Sequence, residues 1–285
     1  MNWQIYLLIG IIAASVCALL QKTVVTKKSV DPILFSAAFQ LSVALILGIV
    51  AFIKGFNIPA NLAPIALNLI LMPALYTLGN IAKFKSLKSI DASEFTVIIQ
   101  ASTVISVIAA VFLLNESFVY KQILGLLLVV AAVLLVTLKD KIHFKFSKGE
   151  FWGIVAAIAM GLAFVNDAYI LRSFDVYSYA FLAFLSPGII TLAFTGHNRL
   201  AGFKNLATKK IAYKFGGAAL IFAIGTIAVY SAYNLGRNAA QISSIFQTST
   251  ILIVILAAIF LRERKHLFKK FAAAIISIIG VILLQ

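Results

Sequence analysis

Charged side chains are scarce in this 285-residue sequence, at 12% against about 25% in soluble globular domains. With 62% of residues hydrophobic, a water-soluble fold would leave wide apolar surface in water, which argues against a soluble enzyme or a nucleic-acid binder. A single cysteine, Cys17, lies in an apolar run and excludes an internal disulfide or a cysteine metal cluster. Catalytic signatures are missing too. The three histidines, His143, His197 and His266, fall between apolar runs beside basic residues, whereas hydrolases and acyltransferases need a base near a nucleophile. No Gly-x-Ser-x-Gly elbow, His-Glu-x-x-His motif or phosphate-cradling glycine loop occurs, and without a Walker lysine an ATP-driven pump is excluded. Neither catalysis nor a cofactor is expected.

Long apolar runs are what the sequence does contain. A membrane-crossing helix with its loop takes roughly 25–30 residues, and the apolar runs mark ten spans: 3–20, 32–53, 63–82, 92–114, 122–138, 151–171, 176–195, 215–235, 239–261 and 267–284. The first run is preceded by no basic segment and followed by no obvious signal-peptidase site, so it is expected to be a retained helix. The net charge of +15 resides in the 24 Lys and Arg, all between the spans or at their ends. The odd-numbered loops carry 20 of them, and the even loops carry one each: Lys54, Lys121, Arg172 and Arg237. This asymmetry places the odd loops in the cytoplasm and both termini outside, in the cell membrane.

An internal repeat underlies the pattern. Residues 96–116, TVIIQASTVISVIAAVFLLNE, align with residues 243–263, SSIFQTSTILIVILAAIFLRE, at an offset of 147. Gln100 matches Gln247, Ser102 matches Ser249, Thr103 matches Thr250 and Glu116 matches Glu263. The same offset pairs Asp91 with Asn238 and Glu94 with Gln241, at the spacing of a capping box. Five spans per half is an odd number, so the second copy must enter the membrane in the opposite sense. The basic residues of equivalent loops reverse in step: 3 against 1, 1 against 5, 3 against 1, and 1 against 5. The fold class expected is an all-α integral membrane protein of ten transmembrane helices in two inverted five-helix repeats, residues 1–147 and 148–285.

The segments KSIDASEFTVIIQASTVISVIAAVFLLNESFVYKQILGLLLVVAAVLLV and GRNAAQISSIFQTSTILIVILAAIFLRERKHLFKKFAAAIISIIGVILL resemble the end of each EamA repeat, a family of the drug/metabolite transporter superfamily. The first span, ending in Lys22, is similar as well. The resemblance implies a ten-helix carrier of small solutes, often an exporter. Its central cavity would be lined by helices one to four of each half, with the fifth of each half peripheral. Many relatives carry a proline inside spans four and nine; this chain has none between Pro73 and Pro187 or after it, so no proline kink is expected there.

Polar groups inside the spans are the site candidates. Asp167 is the one acid well inside a span, beside Asn166 and Tyr169, and Arg172 follows at the span end. An intramembrane carboxylate marks an ion or proton path, or else lies near the interface and pairs with Arg172. Thr96, Gln100 and Thr103 share one face of span four, and Ser243, Gln247 and Thr250 repeat it on span nine. These amides either line a substrate path or fasten the bundle by interhelical hydrogen bonds. Gln40, Tyr76, Asn80, Tyr230, Tyr233 and Asn234 could reach a central cavity, although tyrosine near a span end often anchors at the interface. Gly153, Ala157 and Gly161 form a small-residue ridge suited to close packing, and Ser186-Pro187-Gly188 could bend span seven. Glu116 and Glu263 lie beyond the apolar runs and are expected to fix loop geometry.

The expected partners are the bilayer, a small-molecule substrate and protons as the candidate coupling ion, with no nucleic acid; the protein would be a monomer or a homodimer. A small polar or amphipathic metabolite suits the candidate lining, and a highly anionic one does not, because no Lys or Arg lies deep in an expected span. A membrane scaffold or a lipid translocator of the same fold is the alternative.

Overall fold

The computed structural model describes residues 2–114, 120–137, 147–196, 202–235, 242 and 245–284, with backbone alone at 110–114 and 233–234. Glu116, His143, His197, Asn238, Gln241, Ser243 and the side chains of Tyr233 and Asn234 lie outside the described residues.

All regular structure among the described residues is helical: α1 Trp3–Val25, α2 Pro32–Lys54, α3 Ala66–Ser89, α4 Ala92–Ile98, α5 Ala101–Leu114, α6 Tyr120–Thr137, α7 Lys148–Ile170, α8 Val176–Ala193, α9 Phe203–Leu206, α10 Lys209–Leu235, α11 Ser249–Phe260 and α12 Leu267–Leu284. Among the described residues nine helical stretches are long and apolar enough to cross a membrane, and α11 is a shorter apolar one. Local chemistry sets several starts. Asp31 accepts from the amides of Ile33 and Leu34 at 2.9 and 3.0 Å, just ahead of Pro32, whose fixed φ suits a first turn. Ser147 and Glu150 close a capping box at the start of α7. Four helices overrun their expected spans by three residues or more: α1 continues to Val25 and α3 to Ser89, α7 starts at Lys148 and α10 at Lys209. Lysine is a good helix former whose stem can lie along apolar surface, so a hydropathy boundary stops short of the helix.

The helix pairs obey a pseudo-twofold relation. α2 packs on α8 and α6 on α12, each helix against its counterpart in the other half, and α4 of span four packs on α11 of span nine. The pairings α1 with α10 and α3 with α7 are images of each other under the same exchange. Direction follows from the close approaches. Gly48 faces Phe181 while Gly188 faces Leu41, so α2 and α8 run antiparallel. Gln122 reaches the Leu284 carbonyl and Val129 lies against Gly280, so α6 and α12 do as well. Counterparts that run in contrary directions make the two halves inverted.

Small residues permit these approaches. A Cβ built on Gly125 would fall 2.6 Å from the Gly280 carbonyl oxygen, and one on Gly161 would fall 2.6 Å from that of Ser102. The second approach shows what the Gly153–Ala157–Gly161 ridge packs against: α5, and at Gly153 also Ser86 and Ile98. Outward-facing apolar side chains such as Ile53, Leu67 and Ile70 are exposed, as lipid-facing residues are. α8 continues through Pro187, whose carbonyl accepts from the Thr191 hydroxyl at 2.6 Å.

Span four is not continuous. α4 ends at Ile98 and α5 resumes at Ala101, with three-residue turns at the junction: Gln100 N to Val97 O at 3.2 Å, Ser102 N to Ile99 O at 2.9 Å and Thr103 N to Gln100 O at 3.0 Å. Span nine repeats this at the equivalent place, with Thr248 N to Ile245 O at 3.0 Å and Thr250 N to Gln247 O at 2.9 Å. The break needs no proline; a local tightening from four-residue to three-residue hydrogen bonds accomplishes it.

The expected Asp91–Glu94 capping box is also replaced. No side-chain hydrogen bond from Asp91 caps α4; its carboxylate pairs with Lys270 at the start of α12. Glu263 does the capping from the other half. It accepts from the amides of Ala92 and Ser93 at 2.8 and 3.0 Å and from the Ser93 hydroxyl at 2.6 Å. A carboxylate at a helix N-terminus satisfies orphan donors and complements the dipole.

Candidate functional site

The broken helices meet at a central chamber of about 530 Å³ between the halves. Its lining comes from α1 to α5, α7, α8, α10 and the segment from Phe246 into α11, with nothing from α6 or α12. The fifth helix of each half is therefore peripheral, paired with its counterpart.

At the pseudo-symmetry axis the two amides face each other. Gln100 Nε2 donates to Gln247 Oε1 at 2.7 Å and to the Thr250 hydroxyl at 2.6 Å. Thr96, Thr103 and Ser249 line the same region. The two glutamines line the chamber and hydrogen-bond across the halves at the same place.

Asp167 borders the chamber near the C-terminal end of α7. Its two carboxylate oxygens accept from the hydroxyls of Tyr76 on α3 and Tyr179 on α8. The local Arg172 pairing does not form: the Arg172 guanidinium lies over the Tyr169 ring, 5.6 Å from its centre. Tyr230 also lines this end of the chamber.

Two candidates do not line the chamber. Gln40 is fully buried at 0% exposure. Its amide nitrogen donates to the Ser36 carbonyl at 3.2 Å and hydroxyl at 3.1 Å, and its carbonyl accepts from Asn80 Nδ2 at 3.2 Å. Gln40 thereby orients Asn80, which does line the chamber and also donates to the Tyr76 carbonyl at 2.9 Å. Asn166 points away, accepting from Asn68 Nδ2 at 2.8 Å and donating to the Asn68 carbonyl at 2.9 Å. A buried amide must find partners, and sequence does not tell whether these come from a chamber or from a neighbouring helix.

A family model, the EamA-like transporter family, matches residues 1–138 and again residues 147–285. The chain belongs to the EamA-like transporter family. It is a multi-pass membrane protein of the drug/metabolite transporter superfamily. No curated protein matches. Among solved structures, a crystal structure described only as that of a protein superposes with a TM-score of 0.59 over 100% of this chain and 96% of its own, at 14% identity. At that identity the likeness concerns the fold alone.

The EamA-like chamber contains groups that the sequence pattern did not single out. Tyr179 lies near a helix start, where an aromatic reads as an interface anchor. Phe39, Phe164, Phe184 and Phe222 form apolar walls. Most consequential is Lys83. No Lys or Arg was expected among the chamber-lining groups, but α3 extends past the hydropathy boundary and carries Lys83 into the chamber lining. Tyr76, Asn80 and Lys83 recur at i, i+4 and i+7 on one face of α3, a signal visible once the helix is allowed to run to Ser89.

Proposed function

We propose that the protein is a secondary transporter that exports small organic solutes by alternating access, with the odd-numbered loops in the cytoplasm and both termini outside. The observation that carries this is the chamber itself: both halves line it, and broken helices of contrary orientation meet there, as at the midplane sites of secondary carriers. Gln100, Thr103, Gln247 and Thr250 would contact substrate from the two halves. Tyr76, Asn80 and Tyr230 would do so from α3 and α10, and Asn234 remains a candidate on α10. Asp167 would take the coupling proton from solvent onto a carboxylate oxygen and return it there, while the hydroxyls of Tyr76 and Tyr179 donate to the carboxylate when it is ionised.

Proteoliposome flux of labelled solutes tests the reading. Purified protein should accelerate exchange of its substrate and respond to an imposed pH gradient, and Asp167→Asn should abolish that response. Unchanged gradient dependence in Asp167→Asn would remove Asp167 as the coupling group. Scrambling of a fluorescent phospholipid without solute flux would instead make the protein a lipid translocator.

A further inference from the structure

Two donors at one end of the chamber have no acceptor among the described residues. Lys83 Nζ makes no ion pair with any described residue; it lies 5.1 Å from the centre of the Phe84 ring and 5.9 Å from that of Phe222. Gln21, at 1% exposure, also lines the chamber, and its Nε2 has no hydrogen-bond partner among the described residues. The next residue, Lys22, donates to the carbonyls of Leu87 and Ile90, which sets this part of α1 level with the last turns of α3. Gln21 and Lys83 therefore serve the same end of the chamber.

The other lysines of this helix end behave differently. Lys85 covers the Trp152 ring at 3.9 Å, and Lys88 donates to the Val30 carbonyl. Both are outside the chamber lining, while Lys83 is turned into it. Beside Lys83 the Phe222 ring packs edge-on against Phe39 and Phe184, each at 5.5 Å between centres, giving a continuous aromatic wall.

We propose that Lys83 and Gln21 form the binding site for the carboxylate of a monoanionic organic acid whose apolar, planar body lies along the Phe39–Phe222–Phe184 wall. This rests on the carrier reading above and names the class of its substrate. A carboxylate accepts from both donors at once and restores the hydrogen bonds that burial withholds from them. Among the described lining residues Lys83 is the sole cation, so a dianion such as a phosphate monoester would bring a second charge with no counterpart. A zwitterionic α-amino acid fits poorly as well. Lys83 stands seven residues along α3 from Tyr76, the partner of Asp167, which at 1.5 Å per residue is about 10 Å, beyond the reach of adjacent ammonium and carboxylate groups.

Competition binding on the purified full-length protein in nanodiscs tests the site. The probe is tritiated 3-phenylpropionate, competed by itself, by neutral 3-phenylpropanamide and by cationic 3-phenylpropylamine. The anion should bind about tenfold or more tightly than the other two, as a desolvated charge-assisted hydrogen bond implies. Lys83→Gln should erase that preference, Lys83→Arg should retain part of it, and Lys85→Gln should leave it intact. Equal affinity for the three compounds, no binding of any, or a preference that survives in a monodisperse Lys83→Gln protein would overturn the proposal. The wild-type comparison decides even where a variant fails to fold. Flux of neutral or cationic solutes without anion preference would sink this site and leave the carrier reading. Lys83-dependent binding of 3-phenylpropionate with no flux of any solute would do the reverse.

Discussion

Gln100 shows how one side chain can join the halves and still face a solute path. Its amide nitrogen donates twice, to Gln247 and to Thr250, so truncation on one side strands acceptors on the other. Leaving a buried polar group unmatched costs about 1–3 kcal/mol, whereas replacing both partners by apolar groups of similar shape is closer to neutral. Gln100→Leu and Gln247→Leu should therefore each destabilise the protein, and the double variant should be destabilised by less than the sum of the two. A double-mutant cycle of thermal unfolding in detergent should give a coupling of about 1 kcal/mol. Transport should fall in all three variants while they remain folded; full flux in the double variant would assign the pair to bundle packing alone. The match of Gln100 with Gln247 was legible in the sequence because a repeat offset needs only identities. Lys83 was not, because a hydropathy boundary stops at the first lysine whether or not the helix does. Gln40 and Asn166 were legible as intramembrane amides, and Ser36 stands one turn before Gln40 on the same helix, but the partners Asn80 and Asn68 come from α3 by packing that no local pattern encodes.

At the scale of elements, the start of α4 depends on a residue 171 positions away: Glu263 supplies the carboxylate that caps Ala92 and Ser93. Local sequence offered Asp91 and Glu94 for this task, and the capping spacing was the correct signal for a helix start but the wrong assignment of the cap. Asp91 is drawn instead to Lys270, so the start of α4 is pinned twice to the segment Glu263–Lys270, at Glu263 and at Lys270. Glu263 is 7% exposed, and Glu263→Ala would leave two backbone amides and a hydroxyl without their acceptor. The expected loss is about 1–3 kcal/mol of stability, read as a lowered unfolding midpoint, with Glu263→Gln recovering part of it. Lys22 ties the end of α1 to Leu87 and Ile90 beside the same junction, so these contacts close the odd-loop end of the bundle. If the chamber opens at that end during transport they must break, and Glu263→Ala should raise accessibility there. Thiol labelling of Cys17, a chamber-lining residue buried against the Ala218 carbonyl, provides the readout. Unchanged labelling in a folded variant would show that the cap takes no part in closure.

Charge on the whole molecule couples the two ends of the chamber. Among the described lining residues there is one cation, Lys83, and one acid, Asp167. With the chamber empty and Asp167 ionised, the pair carries no net charge. With a monoanion on Lys83 and a proton on Asp167, the loaded chamber is again neutral. If the substrate is the monoanion inferred above, both reorientation steps then move no net charge across the membrane, and one anion travels with one proton. Wild-type flux in proteoliposomes should follow a pH gradient and ignore a potassium diffusion potential set with valinomycin. Asp167→Asn changes both responses, because its empty chamber carries +1 while its loaded chamber stays neutral. A single charge crossing 100 mV is worth up to about 2.3 kcal/mol, so flux through Asp167→Asn should become voltage-sensitive as its pH dependence disappears. The groups facing Asp167, namely Tyr76, Tyr179 and Tyr230, are phenols, and Arg172 is engaged with Tyr169, so no other described carboxylate is placed to take over the proton. Wild-type flux that tracks the valinomycin potential would break the neutral-cycle argument even if Lys83 binds the anion, since some further charge would then have to move with each turnover.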